Sequence, residues 1–220
     1  MNLEFFNKFD KIISLGFNCF IKKFKSQVLK ISEETDLFDY IGTPMWGINL
    51  FIKNNFKNLD DKSKYSNLQI NIKDKIITQK DYYFRFLHDL NNDNFDRNFI
   101  EFVNKYNRRV ERFLKNIKTC KKILFIRTEE NNNRIKYDEY KEYYEKTEIE
   151  YLQEFTKLIK EINPKLEIKI ILISKSLINN QIDNIIVLNE SKDYKWLTAH
   201  NDLKFTFEKH AEFIKKLINI

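Results

Sequence analysis

The apolar positions of this chain fall into short, nearly continuous runs separated by stretches with helical periodicity. Ile12-Ile13-Ser14-Leu15 closes on Gly16, and Ile123-Leu124-Phe125-Ile126 closes on Arg127. Ile168–Ile173 and Ile185–Leu188 form two more such runs. Runs that are apolar throughout, not in alternate positions, predict strands buried on both faces, as in a parallel sheet. Between them, Phe20, Ile21, Phe24, Val28 and Leu29 recur at helical spacing, and Phe95, Phe99, Phe102, Val103, Tyr106, Val110, Phe113, Leu114 and Ile117 mark a long amphipathic helix. Its polar side carries Arg97, Lys105, Arg108, Arg109 and Arg112. Further helices are predicted from about Tyr143 to Ile162, stopped by Asn163-Pro164, and over Phe207–Leu217. Strands alternating with helices predict an α/β fold in which a mostly parallel central sheet is flanked by helices, a Rossmann-like three-layer arrangement.

One stretch breaks the alternation. Leu68, Ile70 and Ile72 alternate, as do Ile76 and Thr78 beyond Lys73-Asp74-Lys75, which predicts a small hairpin insertion or cap within residues 58–87. Just before it, Asp36–Pro44 is dense in turn residues and aromatics and reads as a loop folded back onto the domain. Neither repeat nor linker divides the chain, and residues 1–220 are expected to form a single domain.

Composition narrows the function classes only a little. Hydrophobic residues make up 42% of the 220 and aromatics 15%, enough to exclude disorder despite 32% charged residues. The net charge of +7 comes from lysines scattered among acids, a solvated surface more than a groove for nucleic acid, and no motif for DNA or RNA is present. Two cysteines, Cys19 and Cys120, are too few for a disulfide scaffold and suit a reducing compartment. Glu4, Lys8 and Asp10 interrupt any signal-peptide core, no later run would span a bilayer, and a cytoplasmic location is expected. The histidines and cysteines lack zinc-ligand spacing, and neither a phosphate-cradling glycine loop nor a dinucleotide fingerprint occurs, so no metal or cofactor is expected.

Only three glycines occur, and Gly16 stands where the first predicted strand meets the first predicted helix. In open α/β sheets functional groups gather beyond the carboxyl ends of strands. Cys19 lies there. A thiol at a helix N-terminus favours the nucleophilic thiolate, and Asn18 with amides near Gly16 would hold an oxyanion. The plain alternative is a small buried residue beside a tight turn. Cys120, on the other side of its strand, reads as structural. Arg127, at the end of a buried strand, suits a phosphate or carboxylate.

Four blocks in order, Ile13-Ser14-Leu15-Gly16-Phe17-Asn18-Cys19, Leu37-Phe38-Asp39-Tyr40, Phe86-Leu87-His88-Asp89 and Arg108-Arg109-Val110-Glu111-Arg112-Phe113 leading to Ile123–Arg127, resemble the papain-like cysteine peptidases, a family named for its expected thiol-peptidase activity. The resemblance weakens after Arg127. It implies Cys19 as nucleophile and His88 as the base that takes its proton, with Asp39, or alternatively Asp89, orienting the ring. His200 is the rival to His88, whereas His210 reads as packing or surface. Where the family commonly has Pro-Phe-Asp-Trp, this chain keeps only the central Phe38-Asp39 pair. The function expected is therefore a cysteine-dependent hydrolase or acyl-transfer enzyme acting on a peptide, acyl or anionic substrate, with Gly16, Asn18, Asp89 and Arg127 on the binding side. The other readings are a transferase or anion-binding protein for a glycan precursor or nucleotide-sugar, and a non-catalytic interaction domain.

Overall fold

The apolar runs are divided, residue by residue, between two cores. The computed structural model describes residues 4–16, 20–31, 34–69, 75–86, 95–129, 138–189 and 199–218. Within these, β1 (Lys11–Ser14), β6 (Lys122–Thr128), β7 (Glu167–Ser174) and β9 (Ile185–Asn189) lie parallel, and β8 (Asn180–Ile182) closes the edge antiparallel to β9. The order is β1-β6-β7-β9-β8, with Ile13 beside Phe125 and Phe125 beside Ile170. Ile13, Ile123, Phe125, Ile168, Ile170, Leu172, Ile185 and Val187 face one core, and Ile12, Leu124, Ile126, Ile171, Ile173, Ile186 and Leu188 face the other. Successive strand side chains point to opposite faces, so a sheet with both faces covered must be apolar at every position.

The first core is closed by α2 (Met45–Lys53), α3 (Phe95–Thr119), α4 (Glu148–Ile162) and a second, antiparallel sheet. The second is closed by the N-terminal turn Glu4–Lys8, by α1 (Phe20–Lys23) continuing as a π-turn over Phe24–Val28, and by α5 (Ala199–Lys209) and α6 (Ala211–Ile218). Phe24 and Phe207 stack at 4.7 Å in its centre. The antiparallel sheet has the order β2 (Ile41–Gly42), β5 (Phe84–Phe86), β4 (Lys75–Gln79), β3 (Tyr65–Gln69). The predicted hairpin is its β3–β4 pair, with Leu68 opposite Ile76; Ile70 and Ile72 lie outside the described residues. Phe86 of this sheet packs on Phe102 and Tyr106 of α3, and residues of both sheets share the first core.

Three sequence expectations change. The predicted helix from Tyr143 begins at Glu148, because Thr147 and Glu150 form a reciprocal capping box and residues 138–144 tighten into a 3-10 turn. Replacing Thr147 by alanine removes the acceptor for the Glu150 N–H, and a loss of about 1 kcal/mol in urea unfolding is expected. The closing helix divides at His210, which is buried and bonded through Nε2 to the Asn189 carbonyl and through Nδ1 to the Asn179 amide, each at 3.0 Å. His200 falls in the first turn of α5. On α3, Arg109, placed with the polar side, is buried, with its guanidinium 4.7 Å from the Tyr106 ring centre.

Candidate active site

At the carboxyl end of β1, the Leu15 N–H makes one more sheet bond, to the Ile126 carbonyl at 3.0 Å, and the chain then turns at Gly16 with φ +74°. A Cβ at Gly16 would collide with Thr43 Oγ1 and stand 3.0 Å from the Phe38 carbonyl oxygen. Glycine is thus required twice, by the backbone angle and by the approach of the 36–44 loop. The Gly16 N–H donates to Ser14 Oγ at 3.1 Å.

That loop brings charge to the edge of the sheet. Asp36 Oδ2 accepts from the Ser14 N–H at 3.2 Å and pairs closely with Lys25, whose side chain is buried. The neighbouring Lys22 donates to the Glu34 carbonyl at 2.7 Å. Asp39 is fully buried; its Oδ2 accepts from the Asp36 N–H at 2.7 Å, while its Oδ1 has no hydrogen-bond partner among the described residues. Burial first, and then the like charge of Asp36, push its carboxyl up to about 6, against the opposing pull of Lys25, the Asp36 N–H and Lys22. The next residue, Tyr40, holds φ +65°, a strained angle for a bulky side chain.

Arg127, at the end of β6, is wholly buried. Its Nη1 donates to the carbonyls of Leu15 at 2.7 Å and Thr43 at 2.8 Å, and its Nε donates to Glu148 Oε1 at 2.6 Å. These contacts are protein groups on three segments, and one of them is the carboxylate of Glu148. Arg112 donates to the Thr35 carbonyl at 2.8 Å, bracing the start of the same loop.

Of the residues predicted for the site, Gly16, Asp39 and Arg127 converge on this corner, whereas Asn18, Cys19, His88 and Asp89 lie outside the described residues. Cys120 sits beyond the other end of β6, and burial raises its thiol, disfavouring the thiolate. Thr43, Asp36, Lys25 and Glu148 were not singled out from the sequence. One signal was available: Lys22 and Lys25 share the helical stretch that carries Ile21 and Phe24, and buried lysines require partners opposite. A separate cleft of about 230 Å³ between α2 and α4 is walled by Trp46, Tyr143 and Tyr151, and its Lys53 and Lys146 both pair with Glu154.

The family model described as putative papain-like cysteine peptidase (DUF1796) matches residues 10–176, well over half of the chain. The chain belongs to that family. The match runs from the start of β1 past the end of β7, beyond the motifs that end at Arg127, and so takes in every element of the corner just described. No curated protein and no solved structure matches this papain-like family member. Among the described residues no helix is long and apolar enough to cross a membrane, and no cluster of three His, Cys, Asp or Glu side chains is placed to hold a metal ion.

Proposed function

We propose that the protein is a cysteine-dependent hydrolase or acyl-transfer enzyme in which Cys19 attacks a carbonyl, His88 takes and returns the proton, and Asp39 orients His88. The observation that carries this reading is Asp39. A wholly buried carboxylate with one oxygen unpartnered among the described residues, beside a strained residue, opposes folding, and such a group persists where it serves a reaction. Two further observations support the grouping. Phe38 lies against Gly16, three residues before Cys19. In the β2–β5 pair, Ile41, two residues after Asp39 in the chain, is opposite Phe86, two residues before His88 in the chain. His88 is two residues from Phe86, a reach of at most about 7 Å.

In this mechanism Asp39 Oδ1 accepts the imidazole N–H and holds the ring's other nitrogen toward the thiol. The Gly16 N–H is engaged by Ser14, which leaves the Asn18 side chain and the amides of 17–19 as the oxyanion donors. Asp89 would contact the substrate. The substrate is a peptide or another acyl compound. The anion-binding alternative drew on Arg127, which is wholly buried and pairs with Glu148, Leu15 and Thr43. We read the two opposed cores as a three-layer arrangement. In it β1, β6 and β7 run side by side in chain order, without the strand reversal that forms a dinucleotide crevice. A thiol nucleophile works in the reduced state, consistent with a cytoplasmic enzyme.

The test is alkylation by iodoacetamide at pH 7, followed by peptide mass spectrometry. Cys19 is expected to react at least about tenfold faster than Cys120, since the thiolate is the reacting form. Equal rates, or an unmodified Cys19, would reject the proposal.

A further inference from the structure

We infer that Arg127 and Glu148 are positioning residues that set the geometry of the Gly16 turn and, through it, the aim of Cys19. The inference rests on the thiol reading above and adds two residues to its machinery. The Leu15 carbonyl stands between the last paired position of β1 and the turn, and Arg127 Nη1 meets it at 2.7 Å. The same nitrogen takes the Thr43 carbonyl at 2.8 Å, one residue before the N-cap of α2, and lies 3.4 Å from Thr43 Oγ1, the atom against which Gly16 packs. Nε is held at 2.6 Å by Glu148, the first residue of α4.

One guanidinium therefore ties the end of β1, the entry to α2 and the start of α4 together at the peptide where the nucleophile turn begins. Only a planar fork meets two carbonyls and a carboxylate at once; a lysine ammonium is a point donor on a flexible stem. Because Glu148 neutralises the buried cation, it fixes the direction of the fork as well as its charge. A turn that shifts by about 1 Å loses on the order of 10²-fold in a positioned reaction. Arg127 and Glu148 act here through Cys19 and need not touch substrate.

The experiment compares full-length wild type, Arg127→Lys and Glu148→Gln. It measures the pH profile of Cys19 alkylation by iodoacetamide, with Cys120 as an internal reference, beside thermal unfolding. Arg127→Lys is expected to slow Cys19 alkylation at pH 7 by about tenfold or more and move its midpoint to higher pH, as the thiol loses alignment with its base. Glu148→Gln should move it the same way by less, and Cys120 should not change in either. A purely structural pair would lower the melting temperature and leave the Cys19 profile in place, and that result overturns the inference. If Arg127→Lys does not fold, Glu148→Gln alone decides; if neither folds, the pair is a folding element and the inference is rejected. A wild-type Cys19 no faster than Cys120 is a different failure, because it removes the thiol reading itself. A fast wild-type Cys19 with unchanged variants removes only the positioning role.

Discussion

Asp39→Asn is expected to make the protein more stable at pH 7, by up to about 3 kcal/mol, while reducing turnover by about 10²–10⁴-fold. The stability part follows from the carboxyl's rise from the ordinary 3.8 to about 6, caused first by burial and then by Asp36. Because the folded state holds this proton more tightly than the unfolded chain, the contribution to stability is greatest below about pH 4. It declines as the pH rises toward 6 and is lost above, where the buried group is ionised. An asparagine keeps an oxygen for the Asp36 N–H and carries no charge, so the stabilisation should shrink toward zero as the pH falls from 7 to 4. Urea unfolding at several pH values reads this directly. Destabilisation at pH 7 would mean that the carboxylate is held for structure. The loss of turnover follows from its proposed partner: an amide in place of the acid leaves His88 in the wrong tautomer. Gain of stability with loss of reaction at one residue separates a functional acid from a packing one.

Gly16→Ala should be damaging for two separable reasons. At φ +74° any side chain adds about 1–2 kcal/mol of backbone strain, and the new Cβ meets Thr43 Oγ1, which adds about 1–3 kcal/mol of overpacking. A total loss of about 2–5 kcal/mol is expected in equilibrium unfolding. The double variant Gly16→Ala with Thr43→Ala removes the collision and keeps the strain, so it should recover part of the loss relative to the sum of the singles. Strict additivity would show that Thr43 moves away freely and that the two loops are not in tight contact. The Cys19 alkylation rate should fall in Gly16→Ala whether or not the double variant regains stability, because the turn itself has changed.

The order of strands and helices could be read from the chain because it depends on periods of two and of about 3.6, which are local properties. Ile123–Ile126 and Ile168–Ile173 announced sheet positions covered on both sides, and the spacing from Phe99 to Ile117 announced one face of α3. Gly16 stood out for the same kind of reason, a rare residue where one period gives way to another. Capping and side-chain capture were less visible. The start of α4 depends on a Thr147–Glu150 box, and His210, between α5 and α6, is held by Asn179 and Asn189 from β8's flank and the end of β9.

Arg127 shows what the tertiary structure alone decided. From the sequence it was a candidate to bind a phosphate or carboxylate at the functional edge. Its observed partners lie 112, 84 and 21 positions away along the chain. Asp39 could be named as a candidate by motif, yet its raised carboxyl rests on burial and on the like charge of Asp36, and one of its oxygens has no hydrogen-bond partner among the described residues. The sequence by itself determined which segments are buried and where the chain must turn, since apolar periodicity and a left-handed backbone angle act within a few residues. Which charges meet, and which buried oxygen goes without a partner, depend on contacts between distant segments and exist only once the sheet has brought those segments to one edge.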